Sequence, residues 1–390
     1  MEDARITPER ARDEVARAVE AAGADVMRAG DSPRVRADGL AYITALAEVA
    51  LQQQLHGADP AFPRFVANPN ANAKWGAENA DNRYLWARVD PDSVYRVSGR
   101  RGTSFELLFE AKQGFMQLGQ PRNFAARLAS DLKVDAAGRF ELWLGGPARA
   151  ANWMPLDPEA QWLLVREYFV DWANEVPAQF AIERFGSSAD SRRPVDPARI
   201  TAQLEAAAAW TLGTARFWNE WVAQLRADHV PGRLAAARRY EGGADDIRYG
   251  NDWFQLGDEE ALVVECDVPH ARYWSFQLCD TWFRSLDYAN HQTSLNASQM
   301  QRDADGRVRI VVAHRDPGVP NWLDTTGLSE GVFQYRFIWT RTTPQPAAQL
   351  VPVGRLRDVL PASTPRITPA ARHASIAVRQ RHVAERTRFG

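Results

Sequence analysis

His314, Arg315 and Asp316 place an imidazole, a guanidinium and a carboxylate in three consecutive residues. An imidazole oriented by a carboxylate can take or give a proton near neutral pH, and a neighbouring guanidinium can steady developing negative charge. In this reading His314 is the base or acid, Asp316 orients it and Arg315 or Arg284 holds the charge. Tyr288 or His291 then supplies the partner acid. The stretch Asp280 to Asn296, DTWFRSLDYANHQTSLN, is the second dense group. Trp282, Arg284, Asp287, Asn290 and Gln292, with Tyr273 from the strand before it, are expected to line a pocket with aromatic walls and a few polar anchors. A plainer reading stands beside each. Asp316 before Pro317 can cap a turn with Arg315 as its ion-pair partner, and the polar stretch can be a connector whose side chains satisfy backbone groups.

These residues stand out because the segment carrying them occurs twice. Asp303 to Thr340 reads as turn, strand, loop and strand, and Asp135 to Trp172 repeats the pattern. Asp135 matches Asp303, Gly138 matches Gly306, Asn152-Trp153 matches Asn321-Trp322, and Arg166 matches Arg336. Small loop insertions account for the slow drift in spacing, so the pattern reads as a degenerate internal duplication. Pro91 and Tyr95 match Pro269 and Tyr273 in the same way, extending it to 80–185 and 247–340. Positions common to both copies are expected to be scaffold. Asn152 and Asn321 would bridge loop backbone groups while Trp153 and Trp322 plug the layer, and Arg166 and Arg336 would form structural ion pairs. Positions confined to one copy, His314-Arg315-Asp316 and 280–296, are then the candidates for function.

The chain of 390 residues has a formal net charge of -2, 45% hydrophobic and 25% charged residues, the balance of an ordinary globular protein. That charge gives no general attraction to nucleic acid or an anionic membrane. The N-terminus lacks an apolar signal region, and no apolar run reaches the roughly 20 residues that span a bilayer. Two cysteines, Cys266 and Cys279, are expected as reduced, buried thiols in a cytoplasmic chain. Dinucleotide, P-loop, serine-hydrolase and zinc signatures are all missing, and no two histidines are spaced as H-x-H or H-x-x-x-H. Neither a cofactor nor a metal is expected. The 14 tryptophans suit both a sandwich core and a ligand pocket.

Five segments follow. Residues 1–60 are helical, opened by Thr7-Pro8 and broken at Gly30-Asp31-Ser32-Pro33. A first β module spans 61–185. Residues 186–245 hold a polar linker (186–196), a helix from Pro197 to Ala227 and a Gly242-Gly243 loop. A second β module spans 246–345, and 346–390 is a tail with a basic helix from Thr368. The tail's Ala and Val positions are too weak for membrane insertion. It is expected to dock on its own body or on a second copy in a homodimer. Strands without intervening helices point to antiparallel sheets. The fold class is mainly β with helical additions, in two related antiparallel sandwich or jelly-roll-like modules.

DYANHQTSLN followed by DADGRVRIVVAHRDPGVPNWLDTTG resembles the DUF1214 family of uncharacterised bacterial proteins, over about 247–345. The segments NRYLWARVDPDSVYRVSGRRGT and NWMPLDPEAQWLLVREYFVDW resemble the region preceding it in long members. The resemblance implies a β-sandwich or jelly-roll fold and carries no established reaction or catalytic residues. The expected function is an enzyme needing no cofactor, acting on a hydrophobic small molecule, an aromatic or terpenoid/steroid alcohol, by lyase-type acid–base chemistry. The rival is a non-catalytic binding protein for a small molecule or a carbohydrate.

Overall fold

The computed structural model describes residues 7–186, 196–241, 243–244 and 246–388. The expected linker (186–196) falls almost wholly outside these, as does Gly242 of the expected loop.

The helices start where their caps dictate. α1 (Pro8–Ala29), α2 (Pro33–Leu51), α3 (Pro197–Ala227) and, near the C-terminus, a 19-residue helix Pro369–Thr387 each have Pro in the first turn. Before each stands a Thr, Ser or Asp whose side chain accepts a first-turn N–H. Among the described residues no helix is long and apolar enough to cross a membrane.

The strands fall into two sets with one topology. In the first module β2 (Asn82–Arg88), β8 (Trp162–Tyr168), β4 (Glu106–Lys112) and β5 (Asn123–Leu128) lie side by side, with short β1 (Val66–Ala67) at the edge. The facing sheet orders β7 (Trp153–Met154), β6 (Arg139–Leu144), β3 (Tyr95–Arg100) and β9 (Gln179–Arg184). In the second module β10 (Ile247–Gln255), β16 (Glu330–Thr340), β12 (Ala271–Cys279) and β13 (Ser294–Asn296) repeat the first sheet. There β15 (Trp322–Asp324), β14 (Val308–Ala313), β11 (Glu260–Cys266) and β17 (Ala347–Pro352) repeat the second. All pairings are antiparallel except the short β6–β7 and β14–β15 bridges, which are parallel. Apolar side chains fill the space between the two sheets of each module, Val97, Phe109 and Val165 in the first and Val264, Phe276 and Phe333 in the second. The expected sandwich class is the one observed.

Matched residues make matched bonds. Asn152 Nδ2 donates to Lys133 O at 2.8 Å while its Oδ1 accepts from Lys133 N at 2.8 Å. Asn321 does the same with Gln301, at 2.6 and 2.8 Å. Trp153 Nε1 donates to Gly145 O and Trp322 Nε1 to Ala313 O, each at 3.0 Å. The expected bridging and plugging roles are therefore those the residues fill. One correspondence is overturned. Tyr95 lies on β3, whose counterpart is β11, whereas Tyr273 lies on β12, the counterpart of β4. The Pro-x-x-x-Tyr echo is a coincidence of turn chemistry, since proline and a following aromatic suit the start of any strand after a turn.

The two modules meet through β8, β16 and the loop ahead of β2. Leu108, Tyr168, Ile247, Tyr273 and Ile338 form one apolar cluster across the junction. Tyr273 Oη donates to Asp81 Oδ2 at 2.5 Å, and Asp81 Oδ1 also accepts from Trp172 Nε1 and Asn296 Nδ2. This buried network ties the loop to both modules. Both cysteines are free and buried.

Candidate functional site

Burial explains most of what surrounds the expected catalytic residues. The C-terminal helix α5 (Pro369–Thr387, after the single-turn α4, Leu356–Val359) packs Arg372 and Arg379 on the second module and its His382 ring against Phe169 and Trp172 of the first. Arg372, Arg379 and Arg386, spaced a heptad apart, all face inward and are buried. Arg372 Nε donates to Asp316 Oδ2 at 3.0 Å, and its other nitrogens reach Gln292 Oε1 and Val319 O, each at 2.6 Å. Arg379 donates to Ser294 Oγ at 3.2 Å and Tyr288 O at 3.3 Å, and Arg386 to Ala80 O at 2.8 Å. Asn290 accepts from Gln380 at 3.0 Å. The stretch 280–296 and the loop at 316–320 are thus the seat of α5. This is why they differ from the first module.

The expected residues are accordingly dispersed. His314 follows β14 directly, and its Nδ1 lies 2.7 Å from the Thr325 hydroxyl rather than on Asp316. Arg315 is 80% exposed and reaches Glu259 at 3.3 Å. Asp316 accepts from Gly318 N–H and Arg372. His291 is 44% exposed beside Asp324, at 2.8 Å. Tyr288 is buried with Lys74 Nζ 4.3 Å above its ring. Trp282 Nε1 donates to Val35 O on α2, and Arg284 pairs with Asp280. Asp287 caps Ala289 and Asn290 N–H groups, and Gln292 Nε2 donates to Pro320 and Trp322 carbonyls. None of these side chains lines the cavity between the modules, although Phe283 from the same stretch does, and Tyr288 lines a separate, larger space of about 640 Å³ with Val383 and Arg386 of α5. The inter-module cavity is the one with an aromatic wall.

That cavity lies between the modules and encloses about 150 Å³. Four strands build it by the period of two that puts alternate residues on one face. β2 gives Asn82, Tyr84 and Trp86, and β8 gives Leu164, Arg166 and Tyr168. β10 gives Ile247, Tyr249 and Asn251, and β16 gives Gln334, Arg336 and Ile338. The register makes these equivalent: Tyr84 sits opposite Arg166 in one sheet and Tyr249 opposite Arg336 in the other. The two copies therefore face each other across the cavity. The loop 75–79, Phe115, Trp218 and Trp221 from α3, and Phe283 close the remaining sides. Phe115 is packed among Trp75, Trp86, Trp162 and Trp210, with ring centroids 4.7 to 6.4 Å apart. At Gly76, whose φ is 65°, a Cβ would stand 2.9 Å from Trp218, so the loop reaches α3 only with glycine there.

The lining carries ionisable groups in an apolar surround. Glu78 is 4% exposed and accepts from Ser285 Oγ and, at 3.3 Å, from Ser285 N. Burial pushes its carboxyl up to about 7, against the pull of nearby Lys74. Burial likewise holds Lys74 below the usual lysine range, while its Nζ donates to the Ser285 and Leu286 carbonyls at 2.9 and 2.8 Å. Arg166 Nε donates to Glu110 Oε2 at 2.7 Å, the structural ion pair expected at that position. Arg336 makes no such pair among the described residues. It is 3% exposed, donates to Ala77 O at 3.0 Å and to Gln334 Oε1, and its Nε finds no partner among the described residues. Among the described residues no group of three or more His, Cys, Asp or Glu is placed to hold a metal ion. A buried carboxyl near neutrality can exchange a proton with a bound molecule, and aromatic walls with few polar anchors suit a small apolar ligand.

Sequence reasoning passed over this cavity because it is made of positions that both copies share. The signal was present in the alternate polar and aromatic residues of Asn82–Trp86 and Gln334–Ile338 and in the second copy of each. Arg372, Arg379 and Arg386 likewise announced a buried helix face by their spacing of seven.

Residues 254–341 match the family described as "Protein of unknown function (DUF1214)". A solved structure of an uncharacterised protein from Burkholderia cenocepacia is 33% identical, with a TM-score of 0.84, over 89% of this chain and 98% of that one. The VPA0106 protein from Vibrio parahaemolyticus is 13% identical with a TM-score of 0.45, over 78% of this chain and 96% of that one. A comparison with curated proteins found no match. With a third of its residues identical over almost the full length of the Burkholderia protein, the chain belongs to the DUF1214 family.

Proposed function

We propose that the protein binds a small, largely apolar aromatic molecule in the cavity between its two β modules, where Glu78 is placed to move a proton. The observation that carries this is the cavity's lining. Trp75, Trp86, Phe115, Trp218 and Phe283 surround a space of about 150 Å³. An apolar cavity of about that size holds a molecule such as benzene. Single-ring compounds therefore fit better than the terpenoid or steroid alcohols of the sequence expectation. The substrate class keeps its aromatic part, and the acid–base chemistry passes from His314 to Glu78. The carboxyl's rise to about 7 supports that role, because proton transfer is most effective near the working pH.

Non-catalytic binding is the second reading, favoured by the engagement of His314, Asp316 and His291 in local structural bonds. The proposed setting is the cytoplasm, and light scattering tests the expected homodimer. The test of binding is a titration of tryptophan fluorescence with single-ring aromatics. Saturable quenching that Trp86→Ala weakens supports the proposal, and an unchanged response in that variant contradicts it. Glu78→Gln separates the two readings. A variant that binds as before but no longer turns over an identified substrate supports proton transfer. Undiminished turnover removes it.

A further inference from the structure

The two copies differ at a position that decides whether the cavity's arginine has a counter-charge. On β4, Glu110 is paired in register with Leu164, two residues before Arg166. On β12, Gln277 is paired with Gln334, two residues before Arg336. Gln277 thus occupies the place of Glu110, and it is neutral. Arg166 has its carboxylate at 2.7 Å, whereas Arg336 shares Gln334 Oε1 with Gln277 and has no carboxylate in ion-pair range among the described residues. A buried guanidinium without a counter-charge is costly, and the cost is recovered when an anion reaches it.

The rest of the wall adds donors. The indole N–H groups of Trp75, Trp86, Trp218 and Trp221 have no acceptor among the described residues, and an indole nitrogen can only donate. Glu78, the carboxyl in the lining, is held largely protonated below about 7, so it does not oppose an incoming anion there. A site rich in donors with one unpaired guanidinium selects a planar acceptor group with negative charge, which a guanidinium fork matches in two parallel bonds.

We infer that the ligand of this cavity is an aromatic monoanion, its carboxylate on Arg336 and its ring among the tryptophans. The inference rests on the small-molecule reading of the cavity given above and narrows it to a charge class.

Calorimetric titration of the full chain with benzoate and with benzyl alcohol, at a pH of about 6.5, tests it. Benzoate is expected to bind at least about tenfold more tightly than its neutral counterpart. Gln277→Glu, which restores the pairing of the first copy, is expected to weaken benzoate by a similar factor and leave benzyl alcohol unchanged. The wild-type comparison stands by itself should that variant fail to fold. Equal affinity for the two compounds overturns the charge assignment and leaves the small-molecule reading intact. A folded Gln277→Glu protein that binds benzoate as before overturns it too. Binding of neither compound removes the small-molecule reading, and this inference with it.

Discussion

Replacing Glu78 by Gln removes a titrating group from the centre of the molecule at almost constant shape. Ser285 still finds an acceptor, because Gln keeps a carbonyl oxygen where Glu78 accepts from Ser285 Oγ. The folded carboxyl titrates at about 7, against 4.5 for the free side chain. Between these values the folded chain holds a proton that the unfolded chain has lost. The contribution of Glu78 to stability is therefore fully present below about 4.5 and is lost as pH rises to about 7. A shift of that size corresponds to about 3 kcal/mol, a value already net of the pull of Lys74 toward the ionised form. Urea denaturation of wild type and Glu78→Gln, in steps from pH of about 4.5 to about 8.5, measures the difference directly. The variant is expected to gain on the wild type by up to about 3 kcal/mol across that range. The gain should level off once the wild-type carboxyl is fully ionised. A difference that stays flat with pH would refute the reasoning, for it would mean the carboxyl titrates as it does in water.

Phe115→Ala, which removes the ring shared by Trp75, Trp86, Trp162 and Trp210, should cost about 3–5 kcal/mol in urea denaturation. His314→Ala should leave ligand titrations unchanged and lose only the Thr325 bond, about 1 kcal/mol of stability. Arg379→Ala leaves Ser294 Oγ and the Tyr288 carbonyl without their buried donor, and should lower stability by about 3 kcal/mol and expose α5 to early proteolysis. Burial and the charge of Arg386 hold the His382 imidazole down to about 2, far below its usual 6.5. Its contribution is present above about 6.5 and lost as pH falls toward 2, so His382→Phe should flatten the acid limb of the stability profile.

The duplication was legible because turns and loop plugs depend on a few residues whose chemistry has little tolerance. Asn152 and Asn321 each satisfy both backbone groups of a neighbouring residue, and no other side chain of that length supplies a donor and an acceptor together. Helix starts were legible for the same reason, through Thr7, Ser32 and Thr368. The cavity was not. The inference that shared positions are scaffold holds where each copy acts alone, as at Trp153 and Trp322. It fails where the copies meet, because shared residues then face one another across a common space, as Arg166 and Arg336 do. Positions unique to the second copy carried a different meaning from the one expected. They answer to α5, whose buried Arg372 bonds to Asp316 and Gln292, and distances that long in sequence leave no local pattern at either residue.

The claim that the inter-module cavity is the binding site is tested most directly by a crystal structure of the protein with 4-iodobenzoate, whose iodine can be located by anomalous scattering. The account predicts the iodine among Trp86, Phe115 and Trp218, with the carboxylate in hydrogen-bond range of Arg336 Nε. An ordered ligand elsewhere, such as beside Tyr288 and Arg386 under α5, with the cavity still closed around its own side chains, would contradict it.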